Sequence, residues 1–253
     1  MPKKPKHIAD HLRQVLINGA SAPHTEEVQH FFKEVVTSRG WYTQEIRKLA
    51  RRFTKVIKND AGLDYLVAVA DELFKGKVLE EKVLAVFLLE TSVGDFTEKH
   101  FMLFGDWLDR VTTWADHDAL VQYLIGPMIV AEPKRSAYSF RWAKSRDEWH
   151  RRAAAVSLIR GARKKNFAAE IERMTDLLLS DENDMVQKGL GWLLREAAKY
   201  NPKPTLPLLM KIRERAPRLV LRTACETVAP AARERILGSA SKARSRPQTT
   251  MTA

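Results

Sequence analysis

Apolar residues recur every three or four positions along nearly the whole chain, the rhythm of amphipathic helices. Helices are predicted over 5–18, 25–38, 43–58, 62–75, 79–91, 97–112, 115–131, 147–162, 166–180, 183–200, 204–215 and 217–228. Runs of Val, Ile and Thr with strict alternation are absent, so no strand is predicted. The breaks carry ordinary stop signals: Gly40, Gly94, Glu132-Pro133, Asn201-Pro202 and Ala216-Pro217. The closing stretch GSASKARSRPQTTMTA is small, polar and basic, and is expected to be a disordered tail over 238–253.

The helices repeat. EKVLAVFLLE (81–90), HDALVQYLIG (117–126), RRAAAVSLIR (151–160), QKGLGWLLRE (187–196) and LRTACETVAP (221–230) align, with second residues Lys82, Asp118, Arg152, Lys188 and Arg222. Successive separations are 36, 34, 36 and 34 residues, and an amphipathic helix lies about half a repeat before each. Paired helices stacked at a fixed period make a solenoid. The expected fold is therefore all-α: a HEAT-like α-solenoid of antiparallel helix pairs, one domain over 1–237, with residues 1–40 the least repeat-like. Equal spacing predicts that the five side chains line one concave face, with four cations and one carboxylate.

Charge sharpens this picture. Forty-three Lys and Arg against thirty-one Asp and Glu give a net charge of +12, which suits a polyanionic partner, nucleic acid first. A row of cations on a concave face would attract phosphates. The dense basic run Arg47, Lys48, Arg51, Arg52, Lys55 and Lys58 is either a second backbone contact or a solvated face. The single cysteine, Cys225, excludes an internal disulfide and any Cys-based zinc site, and is expected to be a buried, inert thiol. No signal-peptide pattern and no membrane-length apolar run occurs, so a cytoplasmic location and no membrane partner are expected. His7 and His11 have a zinc-compatible spacing but no third ligand, so no metal is expected. Trp107, Trp142 and Phe87 read as core, and no nucleotide-binding or serine-hydrolase motif is present.

One turn stands apart. WADHD (114–118) sets an indole beside Asp116, His117 and Asp118 in a basic chain. Asp118 either pairs with a neighbouring cation and does nothing more, or has chemistry to perform. Trp114 lies four residues before it, on the same helical face. Trp192 lies four residues after row position Lys188, and WHRRAAAVSLI supplies Arg151 and Arg152. Asp116 is a rival carboxylate; a helix turns it about 200° away from Asp118, and the repeat alignment favours Asp118.

WADHD, WHRRAA (149–154) and KGLGWLLREAAKYNP (188–202) together resemble the DNA alkylation repair family of AlkD-like glycosylases, over roughly residues 25–230. The resemblance implies excision of cationic N3- or N7-alkylated purines from double-stranded DNA, without metal or cofactor and with the base left in the duplex. It implies Asp118 as the catalytic carboxylate, Trp114 and Trp192 cradling the lesion's deoxyribose, and Arg152 on a nearby phosphate, with Arg151 a lesser candidate. The chemistry suits one acid. An alkylated purine already carries positive charge, so its glycosidic bond breaks without protonation of the base. A carboxylate then steadies the oxocarbenium-like sugar and orients water. Lys82, Lys188 and Arg222 would track the backbone with Arg47, Lys48 and Arg51, on a protein expected to act as a monomer. The alternatives are a HEAT-like protein that binds unusual or damaged DNA without excision, and a protein-binding scaffold.

Overall fold

The computed structural model describes residues 4–238. Among them there are helices and no strands. The inner layer of the stack consists of α3 (Thr43–Ala61), α5 (Leu79–Leu89), α7 (Trp114–Leu120), α10 (Glu148–Val156), α13 (Asp184–Tyr200) and α15 (Arg218–Ala224), each packed on the next in chain order. The outer layer holds α1 (Pro5–Asn18), α4 (Leu63–Phe74), α6 (Glu98–Asp106), α9 (Ser136–Trp142), α12 (Ala168–Leu178), α14 (Pro202–Ile212) and α16 (Pro230–Leu237). This is the solenoid that the repeats predict. The apolar face between the layers is closed by residues such as Phe74, Leu88, Trp107, Leu124, Ala154 and Leu193, all wholly buried.

The repeat is also stitched by polar contacts. Thr54 Oγ1 donates to the Leu88 carbonyl (2.8 Å), and Gln122 Nε2 to the Val156 carbonyl (3.1 Å), each 34 residues along. Positions 54, 88, 122 and 156 thus keep one register through successive units. Small residues let the inner helices approach closely. A Cβ on Gly191 would stand 2.7 Å from Thr223 Cβ on α15, and one on Gly189 would stand 3.2 Å from Arg152 Cγ on α10. The two glycines of KGLGW are therefore clearance for a neighbouring helix and for a neighbouring arginine.

Several boundaries differ from those predicted, for local reasons. The helix expected over 25–38 is α2 (Ala22–Gln29). Its end is captured by Gln29, whose amide donates to Glu34 O (2.8 Å) and whose Oε1 accepts from Val36 N (3.0 Å). The following strap, residues 38–41, is tied down by buried Glu80, which accepts from Ser38 Oγ (2.6 Å), Arg39 N (2.9 Å) and Gly40 N (3.0 Å). The helix expected over 115–131 widens into a π turn at Val121–Ile125 before α8 (Gly126–Ala131). The one expected over 147–162 is split into α10 and α11 (Ile159–Arg163), with buried Ser157 bonding back to Ala154 O (3.1 Å) at the break. Helices α9 and α16 have no counterpart among the predicted segments; both are short, α9 following the Pro133 turn and α16 opening on Pro230. The expected tail lies outside the described residues beyond Gly238.

One predicted row position moves to the interior. The repeat alignment puts Lys82 on the basic face, yet it is wholly buried. Its ammonium donates to Asp116 Oδ2 (3.1 Å), Thr112 Oγ1 (3.2 Å) and the Arg110 carbonyl. Three donors meet three acceptors, so the charge is fully served inside the protein and has nothing left for a phosphate. Removing one partner strands the other. Lys82→Met should lower unfolding free energy by about 3–5 kcal/mol in urea titrations, with part of the loss recovered in the double variant carrying Asp116→Asn as well, which removes the stranded charge and keeps an accepting oxygen.

Candidate active site

Helix α7 starts on a tight cap. Thr113 Oγ1 accepts from Ala115 N (3.2 Å) and Asp116 N (3.3 Å), while Asp116 Oδ1 accepts from Thr113 N (2.7 Å) and Oδ2 from Thr112 N (3.0 Å). With Lys82 on its other side, Asp116 is a wholly buried capping residue and not a rival site group. Two positions on, Asp118 leaves this network and reaches the opposite side of the helix, with 18% of its side chain exposed.

There it lines a cavity of about 590 Å³ together with Trp114, Trp192, Phe32, Phe87 and Tyr123. Both indoles and the carboxylate singled out from the sequence thus share one concavity. Trp114 is stacked on Phe32 from the segment after α2, with ring centres 5.0 Å apart and planes 21° apart. Trp192 keeps its indole Nε1 buried without a hydrogen-bond partner among the described residues.

Asp118 is held from two sides. His117 Nδ1 lies 2.7 Å from Oδ1; Arg152 donates from Nε to Oδ1 (3.0 Å) and from Nη2 to Oδ2 (2.8 Å). Burial pushes the Asp118 carboxyl up, but the hydrogen bond from His117 and the charge of Arg152 outweigh it and hold the group below the ordinary carboxylate range. The acid is ionised at neutral pH.

The other expected site residues divide by their partners. Arg152 is not an open phosphate contact: it is buried, and its third arm donates from Nη1 to Met185 O (2.6 Å). Arg151 pairs with Asp181 (2.6 Å). Arg47 lies over the Phe87 ring (4.2 Å) and the Tyr123 ring (4.9 Å) and beside Glu90 (3.2 Å), bracing the cavity wall instead of projecting from it. Lys48 and Arg51 are exposed on α3, as are Arg52 and Lys55, and among the described residues none of these four makes an ion pair. Lys188 is half-buried and Arg222 exposed, also without ion pairs there. The cationic surface therefore lies on α3, α13 and α15, and the row centre is an internal ion pair.

Sequence reasoning missed Arg160 and Phe32, which line the same cavity. Arg160 ends the aligned segment RRAAAVSLIR, where sister units have Glu90, Gly126, Glu196 and Pro230, so its charge was visible as an exception. Phe32 had no such signal, because it belongs to no repeat.

No group of three or more His, Cys, Asp or Glu side chains is arranged to hold a metal ion among the described residues. Nor is any described helix long and apolar enough to cross a membrane. Against known proteins, a model of the DNA alkylation repair enzyme family matches residues 12–228. The chain belongs to that family. Its place is in DNA alkylation repair, as an enzyme. A predicted DNA alkylation repair enzyme from Enterococcus faecalis has a similar solved structure, with TM-score 0.74 and 16% identity, covering 83% of this chain and 97% of that one. The crystal structure of smu.31 from Streptococcus mutans UA159 gives TM-score 0.53 and 19% identity over 74% and 99%. At these identities the likeness is one of fold. No curated protein matches the chain.

The held carboxylate has a stability signature. Its pKa is lower folded than unfolded, so its contribution is present above the unfolded value, about 3.9, and is lost as pH falls through the folded one. The melting-temperature gap between the wild type and Asp118→Asn should be widest near neutral pH and should narrow as acid is added below about pH 4. Thermal unfolding across a pH series measures it.

Proposed function

We propose that this member of the DNA alkylation repair family is a DNA N-glycosylase that excises cationic N3- or N7-alkylated purines from duplex DNA. The observation that carries this is an ionised Asp118 at the wall of a cavity it shares with Trp114 and Trp192. As the positively charged base departs, the deoxyribose gains oxocarbenium character, and the fixed negative charge of Asp118 stabilises it. The carboxylate also orients the attacking water. The two indoles flank the sugar. Arg152 holds the carboxylate in place. Backbone phosphates are met by Lys48, Arg51, Lys188, Arg222 and Arg160, five exposed or half-exposed cations free of ion pairs among the described residues.

The engagement of Asp118 by Arg152 and His117 favours a second reading, in which the acid is a structural ion pair and the protein binds altered DNA without cutting it. One experiment separates the two. Single-turnover release of 7-methylguanine from methylated duplex should fall at least about 100-fold in Asp118→Asn, with duplex affinity changed less than about threefold. Normal release by that variant overturns the catalytic assignment, and no release by the wild type supports the second reading. Replacing Lys48 and Arg51 with Ala should weaken binding across all sequences and flatten the slope of log K against log salt by about one for every phosphate left unneutralised.

A further inference from the structure

Resting on the glycosylase reading, we propose that His117 is a positioning residue that locks Asp118 and leaves its Oδ2 as the atom facing the sugar and water. His117 is wholly buried. Its Nε2 lies 3.1 Å from the Trp149 carbonyl, and its ring leans on the Trp149 indole at 5.6 Å. A carbonyl only accepts, so Nε2 carries hydrogen; an ionised carboxylate only accepts, so the 2.7 Å contact with Oδ1 requires hydrogen on Nδ1 too. The ring satisfies both neighbours only with both nitrogens protonated.

The consequence is an asymmetric carboxylate. Oδ1 accepts from His117 and from Arg152 Nε, filling its two lone-pair directions. Oδ2 accepts only from Arg152 Nη2 among the described residues. One lone pair of Oδ2 stays open. Asp118 is the charged partner of the ring, and it shares that carboxylate with Arg152 from α10. Sister units use the position differently. Glu81 pairs with Arg13 and Arg39, Arg151 pairs with Asp181, and Gln187 donates to Asp181 O. Among these, the unit carrying the row carboxylate is the one whose preceding side chain bonds to that next residue.

A ring without hydrogen on Nδ1 would turn a lone pair on Oδ1, and the carboxylate would lose its hold. Single-turnover base release is to be measured for the wild type, His117→Leu and His117→Asn, with duplex affinity and melting temperature recorded for each. His117→Leu should lose about ten- to a hundredfold in rate, the cost usual when a partner that orients a ligand side chain is removed, with affinity within about threefold. His117→Asn, whose amide nitrogen overlays the Nδ1 position and donates to Oδ1, should recover at least about tenfold over His117→Leu. Full rate in His117→Leu, or no gain in His117→Asn over His117→Leu, overturns the proposal. Nitrogen-15 NMR of the histidine ring in the DNA-free protein gives a readout independent of activity. Two protonated nitrogens, perturbed by Asp118→Asn, support it, and a bare Nδ1 overturns it. If the wild type releases no base, the glycosylase reading fails, and the NMR result alone decides whether His117 holds Asp118.

Discussion

The ion pair between Asp118 and Arg152 crosses the joint between two repeats, and the site is built on that crossing. The carboxylate stands on α7 and the guanidinium on α10, so the acid's aim is set by how one unit sits on the next. Neither partner has a flexible loop beneath it. Gly189 on the following inner helix leaves room for the Arg152 stem, and the Met185 carbonyl takes its remaining arm, which extends the constraint across a third unit. In a buried charge pair the desolvation of both groups offsets much of their attraction, but the pair fixes geometry, and fixed geometry is what electrostatic stabilisation of a developing cation requires.

A second set of buried acids governs the far wall. Glu80 and Glu81 head α5, and between them they gather the 38–41 strap, Arg13 of α1 and Arg39. This fastening carries the non-repeating N-terminal region over the inner layer and delivers Phe32 to Trp114. Two carboxylates therefore act as anchors for an element that has no repeat partner of its own, while a third, Asp116, caps a helix and closes on Lys82. These three acids are internal fittings in a basic protein.

Much of the architecture was legible because it repeats. Five aligned segments at 34- and 36-residue steps locate the inner helices, and the periodic apolar face locates the core. The same alignment misled about direction. Lys82 and Arg152 occupy equivalent positions to Lys188 and Arg222, but equivalence in register does not tell whether an acceptor waits in the next unit. Asp116 and Asp118 are those acceptors, and each draws a cation inward from the row. Asp118, Trp114 and Trp192 could be read from spacing and motif; Phe32 and Glu80 could not, since their partners are about 80 and 40 residues away and follow no period. Short helices such as α9 fell below what a periodic pattern can resolve.

The stack of Phe32 on Trp114 makes the mouth of the cavity one-sided. With a benzene ring already covering one surface of that indole, a visiting nucleotide finds only the other surface or the rim available. Approach is thereby given a handedness that the repeats alone, being alike on either flank, would not impose. The irregular N-terminal segment, the part of the chain least like a solenoid, is what makes the two flanks of the cavity differ.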